Sequence, residues 1–182
     1  MSEIEIFEGR PAEARTAREM AAYDFLDSLG VSYTRADHAA AETMEACEAI
    51  DERLGLRMCK NLFLCNRQRT AFYLLLMPGE KPFATEELSS QLGVARLSFG
   101  PAEDMERLLG LLPGSVSVLG LINDRAGEVR LLIDRDLLQS ERFGCHPLVN
   151  TSSLGFTTKE LMEKVLPALG HTHTLVELGK GE

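Results

Sequence analysis

The chain has 182 residues, 45% hydrophobic and 26% charged, enough to bury one sizeable core without requiring a second domain. Twenty-eight acidic residues against 19 basic ones give a formal net charge of −9, which excludes a protein that coats nucleic acid by bulk attraction. Cys47, Cys59, Cys65 and Cys145 show neither a Cys-x-x-Cys pair nor zinc-ligand spacing, and no leader-like segment or long apolar run appears. Together these features predict a cytoplasmic protein with reduced thiols and no membrane partner.

In chain order, Pro11 is expected to open a first helix over about residues 11–29, with Met20, Tyr23, Leu26 and Leu29 at helical spacing before Gly30. A short strand is expected over 31–36. Residues 43–54 read as a helix with Met44, Cys47, Ile50 and Leu54 on one face and Gly55 as its stop. Two apolar runs, 62–65 and 71–77, flank the polar turn 66–69 and predict a hairpin with Lys60 at the head of its first strand. A lysine there either solvates the strand end or presents its ammonium at the mouth of a cleft. Residues 53–79 contain Arg53, Arg57, Lys60, Arg67 and Arg69 and no acid, which suits either a solvated turn or a local contact to phosphate.

A helix N-capped by Thr85 and stopped by Gly93 follows the turn-rich 78–82 connector. A strand over 95–99 and a helix from Pro101 through Leu109 come next. Pro113-Gly114 is a turn before a β-branched run closing at Gly120, where glycine-adjacent amides can be left free to bind an oxygen. A strand is expected over 128–133, and residues 143–153 read as a long polar binding loop. Thr157 and Glu160 form a capping box for a last helix through Leu169, and a short strand or tail follows His171. Without a strict βαβα rhythm, the order predicts an α+β fold, a mixed sheet with helices around it, over residues 1–182 as a single domain.

Common active-site signatures are missing: there is no Gly-x-Ser-x-Gly elbow, no phosphate loop, no Gly-x-Gly-x-x-Gly and no His-Glu-x-x-His. His171 and His173 alternate as on one strand face, which fits a surface pair better than a metal site. Cys145 beside His146 is not a dyad, because neighbouring side chains usually point apart.

Four ordered motifs remain: Lys60-Asn61-Leu62-Phe63-Leu64; Arg96-Leu97-Ser98-Phe99; Pro113-Gly114-Ser115-Val116-Ser117 with Gly120-Leu121-Ile122-Asn123-Asp124; and Phe143-Gly144-Cys145-His146-Pro147 with Asn150-Thr151. Over about residues 38–169 this set resembles the YbaK/prolyl-tRNA-synthetase-associated editing family, and most of all its free-standing prolyl-tRNA deacylase branch. The resemblance implies a mixed, largely antiparallel curved sheet surrounded by helices. It implies metal-independent, cofactor-free hydrolysis of the ester of mischarged tRNA(Pro), typically carrying alanine, with tRNA and prolyl-tRNA synthetase as partners and no DNA.

Residue by residue, the resemblance places Lys60, His146 and Gly114 in the catalytic centre. It places Asn61, Ser115, Val116, Ser117, Val118, Gly144, Pro147, Asn150 and Thr151 around the aminoacyl group, while Arg57, Arg67 and Arg69 are candidate tRNA contacts. Val118 stands where the family's Gly-x-x-x-Pro loop has proline, which restores an N–H and frees φ. An aminoacyl ester is already activated, so the site must mainly hold the ribose, place a water and stabilise an oxyanion. A lysine charged at pH 7 is a poor base, and Lys60 is expected to act electrostatically. The alternative is a non-catalytic module that binds tRNA or an aminoacyl group for a synthetase.

Overall fold

In the computed structural model, residues 3–41, 43–57 and 59–179 are described, without the side chain of Met44. Their strands are β1 (Glu5–Glu8), β2 (Thr34–Asp37), β3 (Cys59–Cys65), β4 (Phe72–Pro78), β5 (Ser98–Phe99), β6 (Val129–Asp134), β7 (Arg142–Cys145), β8 (Ser152–Thr157) and β9 (His173–Val176). They form two sheets, β1-β2-β8-β7 and β5-β3-β4-β6-β9. The first is antiparallel throughout, whereas in the second only β4–β6 and β6–β9 run parallel. The mixed, largely antiparallel architecture expected from the sequence is therefore present, divided between two sheets.

Strand periodicity explains how the second sheet is covered. Phe63 and Cys65 of β3, Phe72, Leu74 and Leu76 of β4, and Val129, Leu131 and Ile133 of β6 all enter the main core. There they meet Phe143, Leu154 and Phe156 of the first sheet and Tyr23 and Leu26 of α1 (Ala17–Ser28). The intervening Leu64, Tyr73, Leu75, Met77 and Leu132 face a second core closed by Leu88 of α3 (Thr85–Leu92), Leu97, Val176 and Leu178. Side chains two residues apart share a face, so β4, buried at every position, must be covered on both. A third cluster places Ile50 and Leu54 of α2 (Met44–Leu54) on Ala36 of β2.

Several boundaries differ from the expectation for local reasons. Pro11 does not start α1; Thr16 does, its Oγ1 accepting from the Glu19 amide at 3.2 Å. Thr85 is the first residue of α3, and Ala84 occupies its cap without a side-chain bond. Pro101 is the cap of α4 (Ala102–Leu109). The run toward Gly120 is not a strand: Ser117 caps a 3-10 helix, Val118–Asn123. The long loop expected over 143–153 is mostly the β7–β8 hairpin. Thr157 does cap the last helical run, α5 (Thr158–Glu160), which passes through a π turn (Leu161–Val165) into α6 (Leu166–Leu169). Among the described residues no helix is long and apolar enough to cross a membrane.

One ion network joins α1 to the first sheet. Asp37 accepts from Arg15 at 2.8 Å, from the Arg35 Nε at 3.0 Å and from the Ser152 hydroxyl at 2.7 Å, and Arg35 is only 4% exposed. Burial alone would raise the Asp37 pKa, but these bonds outweigh it and hold the carboxyl at about 2. Because the folded value lies below the unfolded one, the stabilisation is complete above the ordinary carboxylate range and is lost as pH falls through about 2. Asp37→Asn is expected to lower unfolding free energy at pH 7 by roughly 2–4 kcal/mol in urea titrations, since it strands buried Arg35. The deficit should shrink as the pH approaches 2; an equal deficit at both pH values would refute this account.

Candidate active site

A cavity of about 350 Å³ opens where the start of β3 meets α2, the 114–116 loop and the β7–β8 turn. One feature of β3 shapes it. Strand β5 pairs with β3 only at Leu64 and Cys65, so on that side the segment 59–62 has no neighbouring strand. Lys60 lies on this uncovered edge, half-buried, and lines both the cavity and an open groove beside it. Its Nζ donates to the Lys81 carbonyl at 2.6 Å, which fixes the stem while leaving two donors.

The 114–118 loop is held from two sides. Gly114 has φ of 90°, a left-handed conformation that glycine adopts without strain. Val118 N–H donates to Asn61 Oδ1 at 3.2 Å, tying the loop to β3, and the Ser117 hydroxyl donates to the His146 carbonyl at 2.7 Å, tying it to the β7–β8 turn. The Ser115 amide donates to the Leu112 carbonyl. By contrast, the amides of Gly114 and Val116, both at the cavity wall, meet no acceptor among the described residues. Such a pair can receive an oxygen that acquires negative charge.

His146 accompanies them. Its Nδ1 lies 2.8 Å from the Ser152 carbonyl, which can only accept, so Nδ1 carries the hydrogen and Nε2 holds a lone pair. Burial lowers the His146 pKa; the Ser152 bond raises it in part and nearby His38 lowers it further. The ring is therefore neutral at pH 7, and its Nε2 has no partner among the described residues. Also lining the cavity, Asp51 of α2 has no ion pair or side-chain hydrogen bond among the described residues, and burial raises its carboxyl to about 6. The sequence reading passed over Asp51, although four residues after Cys47 and three before Leu54 it is an acid on the apolar stripe of its helix.

Cys59 and Cys145 also line the cavity, but burial pushes the Cys59 thiol up to about 12 and the Cys145 thiol further, so neither supplies a thiolate at neutral pH. Cys59 donates to the Gly144 carbonyl at 2.9 Å. A Cβ at Gly144 would lie 2.3 Å from Leu56 Cδ1, so a larger residue there would have to displace the Leu56 side chain.

Of the residues singled out from the sequence, the structure brings Lys60, Asn61, Gly114, Val116, Gly144, His146 and Asn150 to one cavity. Ser115, Ser117, Val118 and Pro147 are buried behind its wall, while Thr151 is exposed outside it, its carbonyl accepting from the His38 amide. Arg57 is paired with Glu80, and Arg69 with Asp104 at 2.6 Å and Glu103 at 3.3 Å; both arginines are exposed and lie outside the cavity lining. Arg67 is exposed and faces the neighbouring groove. His171 is no surface ligand; buried, it bonds to Asp124 at 2.9 Å. Among the described residues no cluster of three or more His, Cys, Asp or Glu is arranged to hold a metal.

The model of the aminoacyl-tRNA editing domain family matches residues 38–164. The chain is 30% identical over 153 residues to the prolyl-tRNA editing protein ProX of Acetoanaerobium sticklandii, covering 84% of this chain and 93% of that one. It is 28% identical to the prolyl-tRNA synthetase associated domain-containing protein 1 of Danio rerio, over 84% of this chain and 83% of the relative. A solved structure described as a candidate trans-editing enzyme for prolyl tRNA synthetase superposes with a TM-score of 0.66 at 19% identity, covering 91% of this chain and 100% of that one. At that identity it supports the fold.

The His146 geometry predicts a neutral Nδ1–H tautomer that stays neutral below the ordinary histidine pKa. Long-range proton–nitrogen correlation spectra of the labelled protein across pH 5 to 8 would check it. An Nε2–H tautomer, or a titration above the ordinary value, would contradict the arrangement.

Proposed function

Because the chain belongs to the aminoacyl-tRNA editing domain family, we propose that it is a free-standing deacylase that hydrolyses the ester of mischarged tRNA(Pro), with alanine as the amino acid removed. The observation that carries the reading is the pair of free amides at Gly114 and Val116 on a cavity that also holds Lys60 and the Nε2 of a neutral histidine. The relatives named for prolyl-tRNA editing support the choice of tRNA. A cavity of about 350 Å³, near the lower end for ligand sites, supports a small aminoacyl group. The substrate locates the activity in the cytoplasm, beside prolyl-tRNA synthetase.

In this mechanism water adds to the ester carbonyl carbon. The carbonyl oxygen becomes an oxyanion held by the Gly114 and Val116 amides, with Lys60 adding positive charge at the mouth. Collapse of the intermediate breaks the bond to the ribose oxygen, which takes one of the attacking water's two protons and leaves as a hydroxyl; the amino acid departs as a carboxylate and the other proton passes to solvent. His146 Nε2 accepts a hydrogen bond from the attacking water or a ribose hydroxyl, lowering the orientational cost. Asp51, on the same cavity, receives the substrate's α-ammonium. Its desolvated carboxylate lacks a partner until that cation arrives.

Lys60→Ala is expected to cut single-turnover deacylation of alanyl-tRNA(Pro) by about 10²–10³ with an unchanged circular dichroism spectrum. A folded variant with full activity would end this assignment. Run on the wild type, a panel of alanyl-, seryl-, cysteinyl- and prolyl-tRNA distinguishes a deacylase, which releases one of them, from a module that binds without release.

Asp51→Asn should raise KM for alanyl-tRNA about tenfold yet leave hydrolysis of the N-acetylated substrate, which has no ammonium, at the wild-type rate. The acid limb of the wild-type kcat/KM profile near pH 6, where Asp51 becomes protonated, should flatten in the variant. Equal losses on both substrates would show that Asp51 is only structural.

A further inference from the structure

Beside the cavity and sharing Lys60 with it lies a second depression that none of the chemistry above uses. It runs beside β3 past Leu62 to Phe99 of β5, with Phe83, Arg67 and Arg96 on its walls. Phe99 is 61% exposed, the most exposed of the large hydrophobic residues among those described, and it packs edge-on against Phe83 with ring centroids 5.9 Å apart. An aromatic ring left this open is uncommon on a face that only solvates the protein.

The charge of the depression is opposite to that of the molecule. Lys60, Arg67 and Arg96 face a single carboxylate, Glu86, which Arg96 holds at 2.9 Å, on a protein of net charge −9. Arg67 makes no hydrogen bond or ion pair among the described residues, and the Arg96 side chain is 72% exposed. An open ring at Phe99 beside the unpaired Arg67 and the largely exposed Arg96 matches single-stranded nucleic acid, whose bases stack and whose phosphates need cations. An acidic peptide would use the cations but not the rings; a lipid or second apolar surface would use the rings but not the cations.

Continuity decides the occupant. Lys60 and the level of Phe99 are separated by four residues of β3, from Lys60 to Leu64, which pairs with Phe99. Four residues of strand span about 13 Å, room for more than one nucleotide at about 3.4 Å of rise each. An aminoacyl group in the cavity is attached to the 3′ end of a polynucleotide, and the strand must leave past Lys60.

We propose that this groove is a subsite for the unpaired nucleotides that precede the terminal adenosine, with Phe99 as a base-stacking platform and Lys60, Arg67 and Arg96 as phosphate contacts. The inference rests on the deacylase reading and adds to it where the rest of the acceptor strand lies.

The test compares two substrates: alanyl-tRNA and 3′-O-alanyl-adenosine, which fills the cavity but has nothing to place in the groove. Phe99→Ala should raise KM for alanyl-tRNA five- to tenfold or more while leaving alanyl-adenosine hydrolysis unchanged. Arg67→Ala combined with Arg96→Ala should reduce the slope of log kcat/KM against log salt for alanyl-tRNA by about 1 to 2. Fluorescence anisotropy of a labelled oligoribonucleotide ending in CCA gives a readout independent of hydrolysis and should weaken in step.

Hydrolysis of both substrates with Phe99→Ala indistinguishable from wild type would overturn the groove and leave the deacylase standing. Equal impairment on both substrates would also overturn it, assigning Phe99 to the cavity's structure. Failure of the wild type on every aminoacyl substrate would sink the deacylase itself, whatever the oligonucleotide binding. Concentration-dependent dimerisation abolished by Phe99→Ala would identify a second copy as the occupant and refute the nucleotide subsite.

Discussion

The site depends on a strand that is only half paired. Strand β3 is flanked by β4 along its whole length, but β5 is two residues long and leaves the first half of β3 open on its other side. An unpaired edge is ordinarily a liability, because free backbone groups invite another strand. Here a charged residue sits on it and a cavity wall folds around it. Full pairing by a longer β5 would close the gap through which Lys60 reaches two depressions at once, and the cavity and groove would become separate features. The shortness of β5 has a local origin: Gly100 still donates to the Phe63 carbonyl at 2.9 Å, but Pro101, next in line, has no N–H to donate and instead caps α4.

The same economy appears in the loop at residues 114–118. Where the family's pattern has proline, Val118 supplies an N–H, and that hydrogen is spent on Asn61. A proline at this position would enforce φ by its ring, whereas this chain positions the loop through a hydrogen bond from the strand that carries Lys60. The departure thus replaces a covalent constraint with one linking the loop and the lysine strand, so a shift in β3 is felt directly at the free amides. Ser117, bonded to the His146 carbonyl, extends the linkage to the third wall. Three walls from distant parts of the chain are joined by two polar contacts of modest individual strength, each worth about 1 kcal/mol. Their value lies in register more than in stability.

Much of this was legible before any coordinates. Periodicity located both strands of the central hairpin, and the glycines after α2 and α3 marked helix ends that both adopt left-handed φ. Gathering Lys60, Gly114 and His146 into one cavity follows the order of their motifs. Other features were not readable, for identifiable reasons. The competition between Pro11 and Thr16 for the start of α1 is settled by one side-chain bond. The β-branched run before Gly120 reads as a strand by propensity, but its caps and burial favour a tight helix. The carboxylate partners of Arg57 and Arg69, Glu80 and Asp104, lie 23 and 35 residues away and are invisible to a local charge count. Asp51 escaped for the converse reason: what marks it is an environment with no partner, and absence leaves no motif.

An acidic protein that handles a polyanion faces a constraint that the charge distribution resolves locally. With net charge −9, approach of tRNA along most of the surface is repulsive, and steering by the whole-molecule field is unfavourable. At the groove edge the balance is reversed, three cations against one carboxylate. Beyond a Debye length of about 8 Å at physiological salt the repulsion is screened, so the penalty falls on near, misdirected encounters more than on association as such. The acceptor end, single-stranded and thin, can enter with its few phosphates near the cations, while the duplex stem stays at the acidic periphery. The acidic surface then favours weak, short-lived contact with the body of tRNA and leaves discrimination to the strand end, which suits a protein that must release correctly charged molecules quickly.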